Sequence, residues 1–300
     1  MSPGPAAPPR PPSWKLFSLI GLMAMFWSLN FIIGKVALRE FPALLAGCLR
    51  TSIAGLLVLP LYLWKRSHPA ERWDRRQLPR LLFLGLIGVG FNQLCFLLGL
   101  GRTSVGHASI LIATSPMMVL LLASALGHER LTARKITGMA IAAAGAITLQ
   151  IDTAKDRQAT LSGDLLMLLA ALTFASFTVF GKQATRVHGP LTINVFAYAG
   201  SGLMLAPLTL SQAAGFAWEG VSAAGWASLL YMSIFPSVIA YMIFYYALTW
   251  IPASRLASFG YVQPFLTTLL AVLLLGDPVT RPLVTGGALV LTGVWVAERA

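Results

Sequence analysis

TSVGHASILIATSPMMVLLLASALGHERLT, residues 103–132, and PASRLASFGYVQPFLTTLLAVLLLGDPVT, residues 252–280, are one pattern written twice. An offset of 148 puts Pro116 on Pro264, Thr132 on Thr280, Ala123 on Ala271 and Glu129 on Asp277. Outside the two segments the same offset of 148 puts Phe96 on Phe244, Gly138 on Gly286 and Gly145 on Gly293. An offset of 147 puts Gly34 and Lys35 on Gly181 and Lys182, with Leu22 on Leu169 and Ala24 on Ala171. Gly and Leu are common in apolar chains, so the proline, threonine, acidic and Gly-Lys matches carry the weight. The chain reads as a duplication, with halves at 13–151 and 161–300.

Both copies sit in a chain unsuited to water. Of 300 residues, 57% are apolar and 11% charged, with a mean hydropathy of +0.75, where soluble domains carry about 25% charged residues. Apolar stretches of about 20 residues recur, each long enough to cross a hydrocarbon core of about 30 Å as a helix. Ten are predicted, near 16–36, 43–64, 80–101, 105–126, 133–151, 163–185, 191–211, 225–248, 252–275 and 279–297. The fold class is therefore an all-α membrane protein. The Pro-rich opening, MSPGPAAPPRPP, residues 1–12, reads as a disordered cytoplasmic tail and not as a cleaved signal peptide. Cys48 and Cys95 lie inside apolar segments and read as small buried hydrophobes, which excludes a disulfide scaffold. The net charge of +12 would suggest nucleic acid in a soluble protein. Here Lys and Arg gather between spans, where insertion rules and anionic lipid account for them, so lipids and no nucleic acid are the expected partners.

Those cations set an orientation. Placing the N-terminus in the cytoplasm puts fifteen of them on the cytoplasmic side, including the basic 65–80 loop, against six opposite, with Arg50 left aside inside the second span. Both termini are expected to be cytoplasmic. Five helices per half is an odd number, so the second half must run through the membrane upside down. Inverted repeats give one sequence two nearly equivalent arrangements and place a substrate near the midplane between them, which is the architecture of an alternating-access carrier.

At this point the residues resemble a known family. Segment 103–132 is similar to the signature of the EamA branch of the drug/metabolite transporter superfamily: a helix of small residues with a central Pro, closed by Gly, an acid and Leu-Thr. Segment 252–280 repeats it with Asp277 for the acid and Pro278-Val279 for Arg-Leu, and Arg50 resembles the family's arginine near the start of the second helix. The likeness spans nearly the whole chain. It implies two five-helix bundles around a central cavity in a bacterial inner membrane, and exporters of amino acids, aromatic ones in particular, are prominent in the branch.

The centres of the spans can be read independently of that likeness. They bring Trp27 and Asn30, Asn92 and Gln93, Ser115 and Pro116, Phe174 and Phe177, Pro236 and Tyr241, and Tyr261, Gln263 and Pro264 to one depth. Amides at that depth avoid lipid, so Asn30, Asn92, Gln93 and Gln263 either face a cavity or hydrogen-bond helix to helix. Trp27, Asn30, Phe31 and Gly34 form one helical stripe and Phe174, Phe177, Thr178 and Gly181 its counterpart. Tyr241 and Tyr245 share a face, and their hydroxyls need partners there. A cavity of Trp27, Asn30, Phe31, Asn92, Gln93, Phe174, Phe177, Tyr241, Tyr245 and Gln263 suits an amphipathic small molecule. Pro116 and Pro264 each free a backbone carbonyl one turn earlier, as a fixed kink or as a hinge. Gly85, Gly88, Gly99, Gly138 and Gly145 are expected at close helix contacts.

No carboxylate falls at the midplane, and a proton relay through a buried acid is therefore not expected. Lys35, Lys182 and Arg50 are expected to snorkel or to meet lipid. Glu129 and Asp277, at matched helix ends, are expected to fix helix termini or loop contacts. Ser201, in AGSG, is the best fragment for an intramembrane enzyme, but His68, His107, His128 and His188 lie at or beyond helix ends and offer neither a base nor a metal spacing. The chain is thus expected to be no enzyme and to bind no cofactor or metal. It reads as a monomeric carrier exporting small metabolites, amino acids with aromatic or apolar side chains first, by facilitated diffusion. Carriers of drugs, nucleosides or sugars, and a non-transporting membrane assembly protein, are the alternatives.

Overall fold

The ten apolar stretches become ten helical runs in a computed structural model that describes residues 11–66, 78–149, 160–185, 187–275 and 281–299. The first half holds α1 (Ser13–Ala37), α2 (Ala43–Arg66), α3 (Leu78–Leu100), α4 (Val105–Ile112 and Ser115–Ala125) and α5 (Ala133–Leu149). The second holds α6 (Leu161–Ala184), α7 (Pro190–Ala214), α8 (Ala223–Trp250), α9 (Ala253–Ser258, Phe259–Tyr261 and Val262–Leu275) and α10 (Arg281–Glu298). Seven of them, all but α5, α9 and α10, are long and apolar enough to cross a membrane on length and composition alone. Most of the Pro-rich tail, the core of the basic 65–80 loop and Asp277 to Thr280 lie outside the described residues.

Helices pack as the duplication requires. The most extensive contacts join α5 to α10 and α2 to α7, each a helix with its own counterpart. The remaining major contacts come in swapped pairs: α3 on α6 with α1 on α8, and α4 on α6 with α1 on α9. This reciprocity is that of a two-fold interface, where if one surface meets a second the second also meets the first. The two five-helix repeats are inverted and interlocked around it.

Glycine makes the α5–α10 contact possible. A Cβ on Gly138 would come 2.5 Å from the Ala297 nitrogen, and one on Gly293 would come 2.3 Å from the Ala142 nitrogen. Gly145 lies equally close to Val290, so backbone meets backbone along a seam that no side chain could enter. Gly85 against Ala197 and Gly99 against Met167 repeat the device elsewhere, as expected from sequence.

Two runs carry a wide turn at matching places. In α3 the wide turn spans Leu86–Phe91 and in α8 Ser233–Ile239, which an offset of 148 nearly superposes. Such turns, with hydrogen bonds closing five residues apart, are rare and recur at functional sites. Pro236, which has no N–H to give, sits inside the second, and its counterpart Gly88 sits inside the first. Gly88 is needed there because a Cβ would fall 2.0 Å from the ring of Phe177.

The helix ends are tied in ways that overturn the snorkelling expectation for two lysines. Lys35 Nζ donates to the Thr103 carbonyl at 2.6 Å, beyond the end of α3. Its counterpart Lys182 donates to the Leu248 carbonyl and, at 2.9 Å, to that of Ile251, at the end of α8. Helix C-termini present unsatisfied carbonyls and partial negative charge, and a nearby ammonium is drawn to them before it reaches lipid. Glu129 ties α4 to α9: Oε1 accepts the Ser254 N–H at 3.0 Å, Oε2 accepts the Ser254 hydroxyl, and Lys135 Nζ lies 2.8 Å away. Burial pushes this carboxyl up, but the Lys135 and Ser254 hydrogen bonds outweigh burial and hold it below the ordinary carboxylate value.

Candidate functional site between the repeats

Between the interlocked repeats lies a partly open cavity of about 80 Å³, room for a few water molecules, lined from α1, α2, α3, α4, α6, α8 and α9. Its walls are built of counterparts. Trp27 and Phe174 match at an offset of 147, and Gln93 with Tyr241, Phe96 with Phe244, Ile112 with Gly260 and Ser115 with Gln263 match at 148. The cavity therefore lies on the pseudo-two-fold axis itself.

Rings close one side of it. Trp27 meets Phe174 edge to face at 5.8 Å between centroids and Tyr241 edge to face at 5.6 Å, and packs on Phe244 at a tilt of 51° and 5.7 Å. Phe31 and Phe96 form a further edge-to-face pair at 5.4 Å. Edge-to-face geometry sets the positive rim of one ring on the negative face of the next, which rigidifies the wall. The indole N–H of Trp27 is taken by the Pro236 carbonyl at 3.1 Å, so Trp27 offers the cavity its apolar body.

Eight of the ten residues expected at the site line this cavity: Trp27, Asn30, Phe31, Asn92, Gln93, Phe174, Tyr241 and Gln263. Phe177 and Tyr245 do not. Phe177 is 1% exposed, wedged against Gly88, with its ring 5.7 Å from that of Tyr245, so the two form a packed layer behind the wall. The Tyr245 hydroxyl is buried without a hydrogen-bond partner. Among the amides, Asn92 spends its Nδ2 on the Ala170 carbonyl at 2.6 Å and on Thr173 Oγ1 at 3.1 Å, tying α3 to α6 while lining the cavity. The Asn30 side-chain oxygen is buried with no partner.

The two prolines mark breaks. Neither Pro116 nor Pro264 can donate to the carbonyl four residues back, which belongs to Ile112 and to Gly260, and both of those residues line the cavity. Helix α4 stops at Ile112 and restarts at Ser115, while α9 tightens through Phe259–Tyr261 before Pro264. The breaks touch, since a Cβ on Gly260 would lie 3.4 Å from Pro116 Cγ.

Arg50 corrects the sequence reading. It is 2% exposed, lines the cavity and donates from Nε to Ser237 Oγ at 2.8 Å, while Nη1 is buried without a partner. Snorkelling fails because Arg50 lies about 10 Å along α2 from its first residue at about 1.5 Å per residue, and because Ser237 holds it inward. That depth could have been counted from the sequence. Phe96, Phe244, Ile112 and Gly260 were also missed as lining residues, although the offset of 148 already paired the two phenylalanines. Ser201 is buried on α7 against Gly90 of α3, away from the lining. Among the described residues no group of three His, Cys, Asp or Glu side chains could hold a metal ion.

Comparison with known proteins gives this architecture its place. The chain is 28% identical over 286 residues to an uncharacterized transporter of Archaeoglobus fulgidus, covering 95% of this chain and 99% of that one. It is 27% identical over 266 residues to a probable terminal-alkyne amino-acid exporter of Streptantibioticus cattleyicolor, covering 86% and 88%. A probable amino-acid metabolite efflux pump of Salmonella typhimurium is 26% identical over 290 residues, covering 92% of each. A solved crystal structure, 18% identical, superposes with a TM-score of 0.76 over 96% of this chain and 98% of its own, a likeness of fold. The model of the EamA-like transporter family matches twice, at residues 14–150 and 161–298, and the chain belongs to that family.

Proposed function

We propose that this transporter exports amino acids with aromatic or other apolar side chains across a bacterial inner membrane, by alternating access of its two repeats. The observation that carries the reading is the composition of the axial cavity, with rings on the counterpart positions Trp27 and Phe174 and the amides Asn30, Gln93 and Gln263 among them. Rings offer an apolar side chain its enclosure, and the amides serve the polar end of the same molecule. The cavity, at about 80 Å³, is too small to hold an aromatic amino acid as it stands, so in this reading the wall of Trp27, Phe174 and Phe244 must part to admit one. Two relatives named for amino-acid export add support.

Transport runs down the substrate gradient in this reading, since the lining residues include no carboxylate among the described residues to carry a proton. The repeats 13–151 and 161–300 are the moving parts, one chain suffices, and both termini face the cytoplasm, as the excess of Lys and Arg on that side supports. Counterflow in liposomes of purified protein tests it. Labelled phenylalanine outside should accumulate when unlabelled apolar or aromatic amino acids are loaded inside, and not when sugars or nucleosides are. Accumulation only with the latter would replace the amino-acid reading. Strong concentrative uptake driven by an imposed pH gradient would contradict facilitated diffusion.

A further inference from the structure

Arg50 is a cation in the membrane interior that meets no carboxylate among the described residues. Its Nε donates to the neutral hydroxyl of Ser237, which is itself fixed by donating to the Met232 carbonyl at 2.8 Å across the wide turn of α8. Nη1 is buried with no partner. The other residues described as lining this cavity include no carboxylate to pair with the guanidinium. A buried charge so placed is costly, and such charges in membrane proteins mark substrate paths and find a partner there. A guanidinium offers a planar fork of donors that matches a carboxylate.

Symmetry sharpens the point. Five pairs of lining residues are counterparts, but Arg50 is not among them: the offset of 148 sets Tyr198, a neutral ring outside the lining, opposite it, so only one half supplies the cavity with a cation. A single positive pole suits a single negative charge and gives a bound molecule one orientation. The same cavity holds the buried, unpartnered side-chain oxygen of Asn30, an acceptor with nothing to accept.

We propose that Arg50 binds the carboxylate of the substrate and Asn30 its ammonium group, so that the transporter selects free α-amino acids and rejects their amides and amines. This rests on the amino-acid reading above and adds to it the residues that would recognise the zwitterion.

Calorimetric binding to the purified protein tests it with four probes: phenylalanine, phenylalanine amide, phenethylamine and 3-phenylpropionate. Wild type should bind phenylalanine about tenfold or more tightly than the amide or the amine, the scale of one lost charge-assisted hydrogen bond. In Arg50→Gln, phenylalanine should weaken about tenfold or more and lose its advantage over the amide, and Arg50→Lys should retain part of the preference. In Asn30→Leu, phenylalanine should bind no better than 3-phenylpropionate. Equal binding of acid and amide by wild type overturns the proposal, and this comparison stands even if Arg50→Gln does not fold. Unchanged phenylalanine binding in a folded Arg50→Gln overturns it too. If wild type ignores phenylalanine but binds 3-phenylpropionate in an Arg50-dependent way, the anion pole survives while the amino-acid reading and the Asn30 role fall. Binding of neither carboxylate overturns the anion pole as well.

Discussion

Trp27 and Phe174 are each other's counterpart in the two repeats, and their rings meet edge to face with planes 89° apart and centroids 5.8 Å apart. Residues related by a two-fold can touch only on the axis, so this contact marks the pseudo-two-fold axis. It is also cavity wall, so in the proposed alternating-access cycle the element that would part for passage is the element that symmetry centres.

Truncating Trp27 to Ala should cut phenylalanine counterflow by about tenfold or more, since it removes a ring that contacts three others. The exchange W27F with F174W returns similar volume to the pair and should keep transport within about threefold of wild type, as volume-conserving swaps are tolerated best. Initial counterflow rates, normalised to folded protein, compare the two.

Asn92 and Gln93 are adjacent but should fail differently. Asn92→Ala removes hydrogen bonds to Ala170 and Thr173 and should lower stability by about 1–2 kcal/mol. Gln93→Ala, on the cavity wall, should leave the melting temperature near wild type and depress transport. Thermal unfolding in detergent beside counterflow separates these outcomes.

The α5–α10 seam should tolerate no side chain. Gly293→Val sets a branched side chain where a Cβ alone would lie 2.3 Å from the Ala142 nitrogen, and most of the protein should be lost to aggregation on size-exclusion chromatography. Gly21→Ala on α1 meets nothing within 4 Å and should be neutral or stabilising by about 0.5–1 kcal/mol through helix propensity.

Much of this was legible before any coordinates. Five helices per repeat, the inversion and the depth of Asn30, Asn92 and Gln263 follow from periodicity and counting, because in lipid each helix satisfies its own backbone. Azimuth was less legible. Phe177 and Tyr245 lie on the same helical stripes as Phe174 and Tyr241, and a regular helix would aim each pair alike. Contact with Gly88 takes Phe177 behind the wall, a fit that appears only when α3 and α6 are packed. Arg50 was misjudged because an arginine near a helix start usually escapes to the interface, and its Ser237 partner comes from the other repeat.

The Glu129 tie should be resistant to mild acid. Its carboxyl lies below the ordinary 4.5 in the folded protein, so its contribution is complete above that value and is lost as pH falls through the lower folded one. The stability difference between wild type and Glu129→Gln, about 1–3 kcal/mol, should be constant from pH 7 to pH 5 and shrink only below. Melting temperatures of both proteins across that range measure it. A difference that falls away between pH 7 and pH 5 would mean the carboxyl is raised.

The wide turns in α3 and α8 act on everything after them as a phase shift. An α-helix advances about 100° per residue, and one residue absorbed in a wider loop rotates the following segment by about that angle relative to a regular helix. Gln93 and Phe96 follow the turn in α3, and Tyr241 and Phe244 follow the one in α8. These four owe their direction to a register change as much as to their own identity. Deleting one residue from Leu86–Phe91 would keep every lining side chain in the sequence and swing half of the wall out of alignment with the other half, so the spacing upstream of the cavity is as much a part of its specification as the residues that line it.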